Sequence, residues 1–102
     1  MLLGKPVIAT DYSASQDMLS AATGYPVNCA LIPVGAGQYP FAEGQVWAEP
    51  DVAHAAMLMR DLCDDPARAE PLVRRAQAHM QANFSAETVG LLQAGRLRRL
   101  RG

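Results

Sequence analysis

The chain has 102 residues, 50% of them apolar and 19% charged, and a net charge of −1. This is the size and composition of one small globular domain with a core, and it excludes a disordered chain and a two-domain protein. Cys29 and Cys63 are too few and too far apart for a disulfide framework or a paired-cysteine metal site, and no apolar run approaches the ~20 residues that span a bilayer, so a cytoplasmic location is expected.

Gly4-Lys5-Pro6 leads into Val7-Ile8-Ala9-Thr10, which stops abruptly at Asp11. A short apolar run with β-branched residues, ending in a polar loop, predicts a strand over Pro6–Thr10 that is covered on both faces within a parallel sheet. Little sequence precedes it to supply neighbouring strands, so the chain is expected to be the C-terminal piece of a larger protein. Ser15–Leu19 is predicted as a short helix with Ser13 or Ser15 as its N-cap. Thr23-Gly24 turns the chain into Tyr25-Pro26-Val27, and beyond Asn28 a second strand is predicted over Cys29–Val34. A long loop is predicted at 35–50, because Gly35, Gly37, Pro40 and Gly44 forbid regular structure over most of it. Its aromatics Tyr39 and Phe41, with Trp47, are expected to fold back and be buried.

The rest is predicted to be helical. Asp51 caps a helix whose apolar face is Val52, Ala55, Ala56, Met59, Leu62 and Cys63, ending at Asp64-Asp65-Pro66. A second helix is predicted from Pro71, since proline suits the first helical positions, to Phe84, with Val73, Ala76, Met80 and Phe84 inward. Ser85 caps a third, with Val89, Leu92, Leu97 and Leu100 as its stripe; Gly90 and Gly95 lower its helix propensity and leave room for close packing.

Charge is unevenly spread: residues 1–52 carry a net −4 and residues 53–102 a net +3. Arg96, Arg98, Arg99 and Arg101 crowd the end of the last predicted helix, where cations complement the negative end of the helix dipole. No aromatic residue interleaves with them, and no nucleic-acid partner is expected.

In an open parallel sheet, ligands bind beyond the carboxyl ends of the strands, close to backbone N–H groups at the start of the next helix. Asp11, Tyr12, Ser13, Ser15 and Asp17 occupy that place and are the candidate binding residues. The structural alternative is that a serine only caps the helix and Asp17 only complements its dipole. His54 falls on the polar side of its helix and His79 beside the apolar face of the next, without partners at metal-ligand spacing. No Ser-His-Asp order, P-loop or supported carboxylate pair occurs. No catalytic residue, metal or cofactor is therefore assigned.

The Gly-Lys-Pro-Val-Ile-Ala-Thr strand at 4–10, the Tyr-Ser-x-x-x-Asp loop at 12–17, the Thr-Gly-Tyr-Pro-Val turn at 23–27, the Trp-Ala-Glu-Pro-Asp segment at 47–51 and the Asp-Asp-Pro break at 64–66 keep one order. That order resembles the C-terminal end of family 4 glycosyltransferases. The resemblance implies a partial Rossmann-like fold, belonging to the donor-binding domain of the two-domain GT-B architecture, over one domain at 1–102. It implies retaining hexosyl transfer from a nucleotide-diphosphate sugar to an acceptor hydroxyl, with an N-terminal acceptor-binding domain as the partner of this one.

The family's Glu-x7-Glu signature and diphosphate-neutralising cations precede the matched strand, so the chain lacks the catalytic set and is expected to be inactive alone. Ser13, Ala14, Ser15 and Asp17 correspond to a family pattern Ser-Gly-Asn-x-Asp. Ala14 stands for the glycine and Ser15 for the asparagine, and a methyl group at 14 restricts positive φ. The alternative expectation is a non-catalytic, stand-alone α/β interaction module that dimerises through its exposed apolar strand edge and last helix.

Overall fold

In the computed structural model, which describes Met1–Gly102, four short strands and four α-helices follow one another in the order β1 (Ile8–Thr10), α1 (Ser15–Met18), β2 (Tyr25–Val27), β3 (Cys29–Pro33), β4 (Val46–Pro50), α2 (Val52–Asp64), α3 (Glu70–Phe84) and α4 (Ala86–Arg101). A 3-10 turn over Pro66–Ala69 joins α2 to α3.

β1 and β2 are parallel, with Ile8 opposite Tyr25 and Thr10 opposite Val27. A parallel pair needs a crossover of a dozen residues or more, and residues 11–24, which contain α1, supply it. The ladder is closed at both ends by Tyr25 N–H donating to Val7 O (3.0 Å) and Asp11 N–H donating to Val27 O (2.9 Å). In that register the backbone nitrogen of Pro26 points away from β1, where its missing N–H costs nothing. On the other side, the N–H and C=O of Ile8 and the N–H of Thr10 face outward from β1, which has no second neighbour.

The second sheet departs from the expected loop. β3 and β4 form an antiparallel hairpin with Leu31 opposite Ala48 and Ile32 opposite Trp47, so residues 46–50 are strand and only 34–45 are loop. The physical reason is that the β-branched Val46 and aromatic Trp47 suit a strand once β3 supplies the partner. Pro50 ends the strand without needing a ladder donor, and Asp51 N–H donates to Asn28 O (2.8 Å). The second predicted strand thus belongs to a hairpin and lies outside the parallel pair. Tyr39 and Phe41 are not buried but 68% and 97% exposed, and Trp47 is half-buried. Phe41 takes a left-handed φ of 56° that aims its ring out of the loop. The indole N–H of Trp47 is withdrawn from water and has no partner in the chain.

The helices form where the caps predict them. Asp51 Oδ1 accepts from His54 N–H (2.9 Å), and Ser85 Oγ accepts from Thr88 N–H (3.1 Å) while donating to Thr88 Oγ1 (2.8 Å). α3 starts at Glu70, one residue before Pro71. Its inward face is the predicted one: Ala76 is 1% exposed, and Val73, Met80 and Phe84 are half-buried. α3 also straps the N-terminal half, Arg75 Nε donating to Ala22 O (2.8 Å) and Gln77 Nε2 to Leu2 O (3.2 Å).

Two predicted faces are corrected. In α2 the inward residues are His54, Ala55, Leu58 and Leu62, while Val52, Ala56, Met59 and Cys63 of the expected face are exposed. The helix turns this way because it lies against β1 and β2 with the imidazole of His54 aimed at the end of β2. In α4 only Val89 of the expected stripe is half-buried; Leu92, Leu97 and Leu100 face water, because α3 is the one element the helix packs against substantially. Nor do Gly90 and Gly95 mark close packing, since a Cβ at either would meet nothing within 4 Å.

Five residues are buried: Leu19, Gly24, Val27, Ala69 and Ala76. Gly24 is required by space, because a methyl there would meet the Leu19 side chain and come within 2.9 Å of Val7 O. The Cα radius of gyration is 17.6 Å, against ~13 Å for a compact domain of this length. The chain is 54 × 42 × 16 Å, about one layer of secondary structure deep in its thinnest direction.

Candidate functional site

The carboxyl ends of β1 and β2 open on the same side, and the segment after β1 builds the candidate site there. Asp11 continues the ladder, and Tyr12 N–H donates back to Thr10 O (2.9 Å), which turns the chain sharply. Ser13 follows with φ of 55°, the left-handed conformation. The positive φ that a methyl group at 14 would restrict does not occur at that residue. Ala14 has a right-handed helical backbone (φ −60°), which its methyl group tolerates, and the positive angle falls one residue earlier.

Neither serine caps α1 through its side chain. Ser15 Oγ donates instead to Tyr12 O (3.0 Å), fastening the loop to itself, while Ser13 contributes its carbonyl, which accepts from Gln16 N–H (3.0 Å). With Ser13 in the left-handed region and the helix only four residues long, no residue stands in the extended geometry that capping requires.

The five predicted residues lie on one surface segment, Asp11, Tyr12 and Ser13 in the loop and Ser15 and Asp17 in α1, exposed except for the half-buried Ser15. The Asp11 carboxylate accepts from Gln16 Nε2 (3.1 Å), and the Asp11 carbonyl accepts from Cys29 Sγ (3.5 Å). The Asp17 carbonyl lies 3.3 Å from His79 Nε2, and the His79 ring stands 5.6 Å from that of Phe84. Sequence patterns did not single out Gln16, Cys29 and His79 for this place. Gln16 lies inside the loop and was findable; Cys29 and His79 arrive from distant segments and were not.

At the end of β2, Asn28 N–H donates to His54 Nδ1 (3.1 Å). This corrects the expectation that His54 lies on the polar side of its helix: it is half-buried and joins sheet to helix.

The arrangement offers hydroxyls of Tyr12 and Ser13 and the carboxylate of Asp17 to a hydroxylated ligand, with backbone ends fixed by Asp11 and Ser15. No three His, Cys, Asp or Glu side chains are grouped so as to hold a metal ion. The surface hollows lie away from this loop: those of about 570 and 440 Å³ flank Tyr39 in the hairpin loop, and those of about 260 and 170 Å³ lie beside the end of α2 and the start of α3. No helix is long and apolar enough to cross a membrane.

Fold and site together define a mixed α/β protein with a short parallel sheet and a helical C-terminal half. No protein-family model, curated protein or solved structure matches the chain.

Proposed function

We propose that the chain forms the C-terminal part of the donor-binding, Rossmann-like domain of a GT-B glycosyltransferase. The parent enzyme transfers a hexosyl group from a nucleotide-diphosphate sugar to an acceptor hydroxyl, its N-terminal domain holding the acceptor. What supports this is the parallel pairing of β1 with β2, which places Asp11, Tyr12, Ser13, Ser15 and Asp17 beyond the strands' carboxyl ends, where open parallel sheets receive ligands. The unpaired outer edge of β1 supports it too. The backbone groups of Ile8 and Thr10 are set to receive another parallel strand, whereas Pro26 blocks continuation on the β2 side.

In this role the loop supplies hydrogen bonds to donor hydroxyls. Stabilisation of the departing diphosphate, which carries much of the catalysis in such transfers, comes from cations outside the chain, so the chain alone turns nothing over. A titration of the 15N-labelled chain with nucleotide-diphosphate sugars tests the proposal. The amides of residues 11–17 should shift with a Kd of roughly millimolar strength, without product formation. Unmoved amides at that concentration overturn donor binding, and turnover overturns the dependence on a second domain.

One observation favours a second function, that of a non-catalytic interaction module: Leu91, Leu92, Leu97 and Leu100 of α4 are all more than half exposed.

A further inference from the structure

The β3–β4 hairpin is rooted at the candidate loop: Cys29 Sγ donates to Asp11 O (3.5 Å), and Asp51 N–H donates to Asn28 O (2.8 Å). From that root its strands run about 17 Å to residues 34–45, which hold their own shape. Val34 N–H donates to Gln45 O (3.0 Å), Gly35 N–H to Gln38 Oε1 (2.6 Å) and Gln45 N–H to Ala42 O (3.0 Å). The two hollows here, of about 570 and 440 Å³, share Val34, Tyr39, Gln45 and Val46 and so form one recess. Its volume is that of a small-molecule site, and its walls stand ready before a ligand arrives.

The recess carries two features that a plain hairpin turn does not need. Phe41, at its rim, is 97% exposed and takes a left-handed φ of 56°, a conformation that strains a bulky side chain and that glycine or asparagine adopts more easily. Trp47, in its wall, keeps its indole N–H out of water without a partner, a deficit removed once an acceptor displaces what covers it.

The lining sets the chemistry of the ligand. Glu43 only accepts, the indole N–H only donates, and the Gln45 amide and Tyr39 hydroxyl do both. No cation lies within residues 29–50, so a phosphate or nucleotide is repelled by Glu43. An acyl chain would strip water from Glu43 and Gln45 and return no hydrogen bond. An amine would satisfy Glu43 and the aromatic rings but not the indole N–H. A neutral saccharide meets all of these groups, with hydroxyls that donate and accept and C–H faces that lie flat on Tyr39 or Phe41.

We infer that this recess binds a neutral saccharide. In a sugar-transferring parent it is an acceptor subsite, and that role alone rests on the proposed function; saccharide binding does not.

Trp47 is the chain's one tryptophan, so its fluorescence reports the recess directly. Titration of the full chain with maltotriose, cellotriose and mannotriose should shift that emission saturably with at least one of them, at a Kd of roughly millimolar strength. Tyr39→Ala and Phe41→Ala should each weaken binding by roughly 10-fold, while the far-UV circular dichroism of both variants stays that of the parent chain. Met59→Ala, on the outer side of α2, should leave binding unchanged. The amide shifts of residues 11–17 with a nucleotide-diphosphate sugar are a separate signal, so failure of one site is distinguished from failure of the other. An emission unmoved by all three sugars, a response to tetramethylammonium in their place, or sugar binding indifferent to both ring deletions would overturn the inference.

Discussion

Asn28 and His54 meet across 26 positions of sequence, the backbone N–H of one donating to Nδ1 of the other at 3.1 Å, so that the end of the parallel pair is fastened to the first turn of α2. Asp51 completes the joint, accepting from His54 N–H through its carboxylate and donating its own N–H to Asn28 O.

Because Nδ1 accepts, neutral His54 carries its proton on Nε2. Two-bond 15N–1H correlation spectra should show that tautomer for His54. His54→Ala should lower unfolding free energy by about 1 kcal/mol, the net worth of an ordinary hydrogen bond, measured by urea titration. The opposite tautomer would remove the joint.

Ser85 and Ser15 invite opposite expectations. Ser85→Ala removes the acceptor for Thr88 N–H and should cost about 1 kcal/mol. Ser15→Ala removes only a loop bond to Tyr12 O at an exposed helix of four residues, so it should cost about 0.5 kcal/mol. Equal losses would contradict the assignment of α4's cap.

At the candidate loop the sign of a glycine substitution should change between neighbours. Ser13→Gly relieves a left-handed backbone and is expected to be neutral or stabilising by up to about 1 kcal/mol. Ala14→Gly adds only freedom to a helical residue and should cost about 0.5–1 kcal/mol. Thermal unfolding of the two variants decides it.

Gly24→Ala should be among the most damaging single changes, at about 1–3 kcal/mol, because the Val7 carbonyl cannot give way without disturbing the parallel ladder. Gly90→Ala and Gly95→Ala meet no neighbour and should each stabilise α4 by about 1 kcal/mol. A loss of stability at Gly95 instead would mean that another surface presses on that side of the helix.

Legibility in the sequence followed the range of the interactions. The Val7-Ile8-Ala9 run revealed a parallel strand, and Asp51 and Ser85 revealed the starts of two helices, because these signals act within a few residues. β4 was missed since residues 46–50 follow a glycine- and proline-rich loop and their partner strand lies far back in the chain; the Trp47–Ile32 pairing extends them up to the helix that Asp51 caps. The inward face of α2 was misread because apolar spacing assumes a core to face, and Val52 and Met59 have none. At the candidate site the members of the loop were legible. Their supports were not, because Cys29 and His79 reach the loop from 18 and 62 positions away.

With only five residues fully buried, an isolated chain has less apolar surface to hydrate when it melts than a compact domain of its length. Its heat-capacity increment should fall below the usual 12–15 cal/mol/K per residue, approximately, giving a shallow stability curve and a broad calorimetric peak. An increment within that range, together with a melting point that climbs with protein concentration, would locate the absent interior in the association of chains.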